Sequence, residues 1–288
     1  MNSQKWAILA VIFISLFSIA SAARLGRTTE LTPESVARIA ATVSEGEKSL
    51  YLITLEDGID VSLLSYFGKI EYEFKFSNGA SVWITEDAAN LLKNANAIVK
   101  SIEKDQTIQI EEPASNNQKM PKEGESLYVT SMIKLGGQWN LTEDGINAEA
   151  AWNDFGVDGT GVKIAIVDSG VNYNHTLLAG RYLGGNDFCD STGTLCAGIP
   201  DDEDPMDELG HGTHLASAML ANGGPTGLEG IAPNAQYYVA KVTDSTGFWT
   251  SNSYLSGLEW AIEQDVNIIY IGFGSTTWDV PINSAMEQ

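Results

Sequence analysis

The stretch "VKIAIVDSGV", Val162–Val171, decides the fold. Its first six residues read as a strand buried on both faces of a parallel sheet, because the apolar character continues with no strict alternation. "QYYVAKV" (Gln236–Val242) and "VNIIYIGFG" (Val266–Gly274) repeat the pattern, and the helical stretches "HLASAMLA" and "YLSGLEWAIEQ" lie among these strands. Strands alternating with helices indicate an α/β fold, a doubly wound parallel sheet with helices on both faces. Such sheets gather their ligands and catalytic groups at the C-terminal ends of the strands, where Asp168 stands. A turn-forming Asp in the Ser169-Gly170 bend is the competing reading.

Histidine sharpens the choice. The chain has three, and "GHGTH" holds two of them, His211 and His214. His211 is read as the start of a helix whose first turns are small residues, suited to close packing beneath a site. An imidazole there can act as a general base if a carboxylate holds its other ring nitrogen. A metal reading would use His211 and His214 at i, i+3, but neither a His-Glu-x-x-His pattern nor a paired-cysteine spacing supplies further ligands. His214 is expected to be a hydrogen-bonded structural residue, and His175, in "NYNHTLLAG", likewise structural.

The N-terminal half has a different character. Lys5, the apolar run from Trp6 to Ala20 and the small-x-small Ala20-Ser21-Ala22 read as a cleaved secretory signal over 1–22, too short for a stable membrane span, so the protein is expected to be secreted. Residues 23–46 hold a helix starting at Thr32-Pro33-Glu34. Residues 47–110 read as a small α+β unit: strands "LYLITL", "KIEYEFKF", "GASVWI" and "AIVKSI", an apolar helix near "VSLLSYF" and a helix capped by Thr85. The polar, proline-bearing 111–132 reads as a linker, and 133–288 carries the α/β pattern.

Charge and cysteine bound the partners. The net charge of −22 excludes nucleic acid, which needs clustered Lys and Arg. Cys189 and Cys196 are close in a Gly- and Thr-rich loop; in an exported chain they suit a local disulfide, with two free thiols as the alternative.

"VKIAIVDSGV", "GHGTHLAS", "GIAPNAQYYVAKV" and "VNIIYIGFGS", in that order, resemble the subtilisin-like serine proteases, the subtilases. The resemblance implies that Asp168 orients His211 and that His211 activates a serine. It implies further that "TGFW", with Gly247, Phe248 and Trp249, and "IGFGS", with Gly272, Phe273 and Gly274, are the edges between which a polypeptide substrate lies extended. Residues 47–110 are similar to the subtilase inhibitory propeptide, a ferredoxin-like domain expected to act as an intramolecular inhibitor and to be cut away within 111–132.

The chain also departs from the family. No serine here stands in the Gly-Thr-Ser-Met-Ala context, so the 133–288 segment is read as the N-terminal half of a catalytic domain whose serine lies beyond Gln288, inactive as it stands. A non-catalytic propeptide-type inhibitor or pseudoprotease is the alternative. Tyr270 stands where Asn is usual and Gly272 where Ser is usual, and Phe248 and Trp249 replace small residues, which should narrow the cleft or add an aromatic contact. No cofactor is expected for catalysis. Subtilases often hold a structural Ca²⁺ at positions that here carry Leu177 and Gly224, neither with a side-chain oxygen, and the acidic run Asp201–Asp204 reads as a solvated loop.

Overall fold

The structure, a computed structural model, describes residues 33–110, 138, 140–189, 196 and 203–274. The expected signal segment, the 111–132 linker, the C-terminal stretch after Gly274 and most of the loop between the cysteines lie outside these residues. The described chain falls into two units, the first ending at Gln106 and the second starting at Thr107.

In the first unit, helix α1 (Pro33–Ala41) precedes strands β1 (Lys48–Leu55), β2 (Lys69–Phe74), β3 (Gly79–Thr85) and β4 (Val99–Lys104). Their order in the sheet is β2-β3-β1-β4, and β1 is antiparallel to both β3 and β4. A 3-10 helix (Val61–Tyr66) joins β1 to β2, and helix α2 (Glu86–Lys93) joins β3 to β4. This is the β-α-β-β-α-β arrangement read from the sequence. The expected apolar helix at "VSLLSYF" is the 3-10 turn, started by the Asp60 side chain accepting from Ser62 N at 2.8 Å. Thr85 caps α2, with Glu86 and Asp87 in its first turn. Ile53, Leu55, Leu64, Val82, Ile84 and Ala88 are fully or almost fully buried in the core between the sheet and its helices.

The second unit is built on β6 (Lys163–Asp168), β7 (Tyr182–Asp187), β10 (Gln236–Lys241) and β12 (Ile268–Ile271), ordered β12-β6-β10-β7 and all parallel. Helix α3 (Ala148–Phe155) precedes β6. Helix α4 (His211–Leu220) packs its Ala216 and Leu220 with Ile164, Ile166, Tyr237 and Val239 of one sheet face. Helix α5 (Ser251–Glu263) lies on the other face: a Cβ on its Gly257 would stand 2.4 Å from Val242 and 3.4 Å from Ala240. The sheet is thus covered on both faces, as its unalternating strands require. α5 opens with a reciprocal capping box between Thr250 and Ser253. A short hairpin of two-residue strands, β8 (Asn222–Gly223) with β9 (Leu228–Glu229), follows α4. Among the described residues, no helix is long and apolar enough to cross a membrane.

Strand β7 was not legible as a strand, since "YLGGND" carries two glycines and no apolar run. Residues 47–110 also divide differently from the sequence reading. Strand β5 (Thr107–Gln109) belongs to the second unit, where it pairs antiparallel with β11 (Phe248–Thr250).

Candidate active site

Asp168 is the last residue of β6, and its side chain is fully buried. His211 is the first residue of α4, about one-sixth exposed, and its Nδ1 lies 2.7 Å from Asp168 Oδ1. An ionised carboxylate only accepts, so opposite an ionised Asp168 the Nδ1 N–H is the donor of this hydrogen bond, and in the neutral tautomer that goes with it Nε2 is the acceptor nitrogen.

The glycines flanking His211 have separate reasons. Gly210 adopts φ +96° to turn the chain into the helix. A Cβ on Gly212 would stand 2.1 Å from Gly170 O and 3.0 Å from Asp168 Oδ1, so only glycine lets the helix start approach the strand end.

The carboxylate is held by the backbone as well. Ser169 N donates to Asp168 Oδ1 at 2.7 Å, while Asp168 Oδ2 has no hydrogen-bond partner among the described residues. Burial pushes the Asp168 carboxyl above its ordinary pKa; the His211 hydrogen bond and charge and the Ser169 N–H oppose this. Burial and the Asp168 charge likewise raise the Tyr270 hydroxyl.

Asp207 escaped the sequence reading. Its Oδ1 accepts from Ser169 Oγ at 2.9 Å, Leu209 N at 3.1 Å and Gly210 N at 2.8 Å, and its Oδ2 accepts from Thr213 N at 2.9 Å and from Thr213 Oγ1. Ser169 Oγ in turn accepts from Gly212 N at 2.9 Å. One carboxylate therefore ties the residue after Asp168 to the turn that launches His211. The available signal was an Asp three residues ahead of a glycine at a helix start, the spacing of side-chain-capped turns.

The remaining candidates separate. His214 is exposed, contrary to the structural role expected for it. It lies two residues, about 200°, from Gly212 and so opposite the buried stripe Gly212, Ala216 and Leu220. Among the described residues no group of three or more His, Cys, Asp or Glu could hold a metal ion. His175 does serve locally, its Nδ1 accepting from Leu177 N at 3.3 Å. Cys189 and Cys196 are joined in a disulfide. Glu203 and Asp204 of the acidic run are exposed, and Tyr173 donates to Asp204 at 2.7 Å; the rest of that run lies outside the described residues.

The two expected edge segments meet through their aromatic rings. Trp249 is buried, with its ring 5.0 Å from Phe273 and 5.6 Å from Tyr254. It adds an aromatic contact beneath the edge, while Phe248 keeps about a third of its surface exposed. The edge itself is occupied: Gln109 pairs with Phe248 and Ile108 with Trp249, and Ile110 N donates to Gly247 O at 2.9 Å. Ile108 and Ile110 are the more buried residues of that strand, and Thr107 and Gln109 are exposed. Gly272 abuts the carboxylate, where a Cβ would stand 2.1 Å from Asp168 Oδ2, so this packing has no room for the serine usual at that position.

The sequence around this site is similar to those of known proteins. A sequence model of the subtilase family matches residues 159–288. Subtilisin E of Bacillus subtilis (strain 168) is 28% identical over 222 residues, covering 77% of this chain and 48% of that protein. Thermitase of Thermoactinomyces vulgaris is 36% identical over 144 residues, 50% of this chain and 46% of its own length. The chain spans about half the length of these curated relatives. The 222 residues matched to subtilisin E are more than the chain holds from Thr107 onward, so that similarity reaches into the first unit.

Proposed function

Since residues 159–288 belong to the subtilase family, we propose that this chain is part of a secreted serine endopeptidase that hydrolyses peptide bonds with an Asp-His-Ser triad. The observation that carries the reading is the buried Asp168 held 2.7 Å from His211 Nδ1 at the end of a parallel strand. His211 Nε2 takes the proton of a serine hydroxyl as the oxygen attacks the scissile carbonyl, then returns it to the departing amine. Asp168 keeps the ring in the required tautomer and stabilises the imidazolium that forms. Asp207 acts through both, fixing the turn and the helix start that set their distance. The serine is supplied by sequence beyond Gln288.

Substrate binds extended against Gly247–Trp249, with Gly272–Gly274 on its other side, by adding a strand. The pairing of Thr107–Ile110 with Gly247–Thr250 supports this, because a segment of the chain already lies on that edge as an antiparallel strand. The same pairing supports residues 47–110 as an inhibitory propeptide whose last residues block the edge until they are cut away. The similarity to subtilisin E that extends into the first unit favours the same assignment.

The test is the full-length protein with His211→Ala, assayed on a peptide substrate. The expected result is a fall in kcat of roughly four orders of magnitude or more, with amide protection of β6 and β10 unchanged. Hydrolysis retained by the purified variant overturns the assignment.

A further inference from the structure

Arg181, immediately before β7, is half-buried, and its guanidinium is spread over three backbone carbonyls. Nη2 donates to Leu177 O at 2.6 Å, and Nη1 donates to Pro233 O at 2.6 Å and to Leu220 O. These oxygens belong to three separate segments: the turn after β6, the last residue of α4, and the turn before β10. Leu220 O sits at the negative end of a helix, where a cation is favoured.

The neighbouring loop is closed in the same all-protein manner. β8 pairs with β9, Gly230 N donates to Ala221 O at 2.7 Å, and Asn222 N donates to Leu177 O at 3.1 Å. The Gln138 side chain clasps Glu229, donating to its O at 2.8 Å and accepting from its N at 2.6 Å. Leu177, buried, fills the space a side chain at Gly224 would need: a Cβ there would stand 2.7 Å from Leu177 Cδ2.

These residues do not fit the structural calcium that the family resemblance implies at Leu177 and Gly224. Ca²⁺ takes six to eight oxygens, commonly including carboxylates. Here the first position presents a buried methyl group and the second has no side chain. The carbonyls of Leu177 and Gly223 already accept hydrogen bonds.

We infer that the Arg181 guanidinium, with Leu177 packed on Gly224, replaces that ion, so the Asn222–Gly230 loop of the second unit is built to hold without calcium. A guanidinium suits the task because its planar fork reaches several acceptors at once and its charge is less strongly hydrated than an ammonium.

Local amide exchange of the full 288-residue chain, in EDTA and in millimolar calcium, tests this without reference to hydrolysis. A failure therefore bears on the loop and leaves the protease reading standing. Residues 222–230 are expected to exchange equally in both solutions. In Arg181→Met they exchange faster by about tenfold or more, because hydrogen bonds to a charged group are lost. Arg181→Lys should recover only part of that protection. Protection of 222–230 that requires calcium overturns the inference, as does wild-type exchange in Arg181→Met. If Arg181→Met does not fold, the comparison of EDTA with calcium on the unaltered chain decides.

Discussion

The two units solve the burial problem in different ways. In the first, the polar residues buried as a whole among those described are Thr54, Ser81 and Thr85, all hydroxyl groups, and the one largely buried carboxylate, Glu71, accepts from Trp83 Nε1 and pairs with the exposed Lys69. In the second, Asp168, Asp187, Lys241 and Glu259 are all buried. Desolvating a charge is expensive unless it is paired and hydrogen-bonded, so a fold does not accumulate such groups for stability alone. Of the second unit's four buried charges, Asp168, Asp187 and Lys241 stand at the last positions of parallel strands and Glu259 lies within α5. Subtilase similarity over residues 159–288 lies where those charges are.

The largest effect should come from breaking a charge pair in the second unit. Lys241 pairs in register with Asp168 of β6 on one side and Asp187 of β7 on the other. Its ammonium lies 2.8 Å from Asp187 Oδ2 and 3.4 Å from Glu208 Oε2. Burial disfavours its charge, but the two carboxylates outweigh that and raise its pKa. Lys241→Met leaves Asp187 buried without its cation and should cost about 3–5 kcal/mol. Urea titration of the whole chain, followed by amide exchange in β10, checks this. An unchanged stability would erase the contrast between the units.

A substitution in the first unit should matter less, because its one largely buried carboxylate among the described residues, Glu71, pairs with Lys69, whose side chain is mostly exposed, and its other buried polar groups are hydroxyls. Thr85 is its best test. Its hydroxyl accepts from Ala88 N at 3.2 Å to cap α2 and donates to Val43 O. Thr85→Ala should cost about 1–2 kcal/mol, the usual worth of a cap plus one further hydrogen bond. Thr85→Ser should restore most of it. Faster exchange confined to α2 and its flanks is the expected readout, with β6 and β10 unaffected.

What was legible followed from periodicity and punctuation. β6, β10, β12 and the start of α4 were readable because buried parallel strands run apolar and because glycine marks a close approach. Thr85 and the Glu and Asp after it announced α2. The rest depended on partners distant in sequence. β7 is held by its pairing with β10 and by the Asp187–Lys241 bond, neither of which shows in "YLGGND". Thr107–Ile110 reads as the tail of the first unit, yet its hydrogen bonds are made with Gly247–Thr250, more than a hundred residues away. The role of Asp207 came from the convergence of three segments on one carboxylate. Trp249 was expected to line a substrate edge, and its ring is buried against Tyr254 and Phe273, contacts that its local sequence does not show.

The smallest expected change in stability is also the most informative about the site. Asp168→Asn keeps an oxygen for His211 Nδ1 and Ser169 N and removes the buried negative charge. Because burial raises the folded-state pKa of Asp168, its proton is held more tightly in the folded chain than in the unfolded one. The wild type is therefore favoured below the unfolded-state pKa of about 3.9 and loses that contribution as pH rises through the folded-state value. The Asn variant has no such loss. Its melting temperature should equal or exceed the wild type's by on the order of a degree or two at neutral pH, and the gap should close as pH falls below about 4. Hydrolysis by the full-length Asn variant should fall by about four orders of magnitude, because a neutral amide does not stabilise the imidazolium that forms or hold the ring in one tautomer. A variant that is less stable at neutral pH than at low pH, relative to wild type, would mean that His211 pairing more than offsets the burial of Asp168. The charge at the strand end would then stabilise the second unit, and the contrast between the units would lie in its geometry alone.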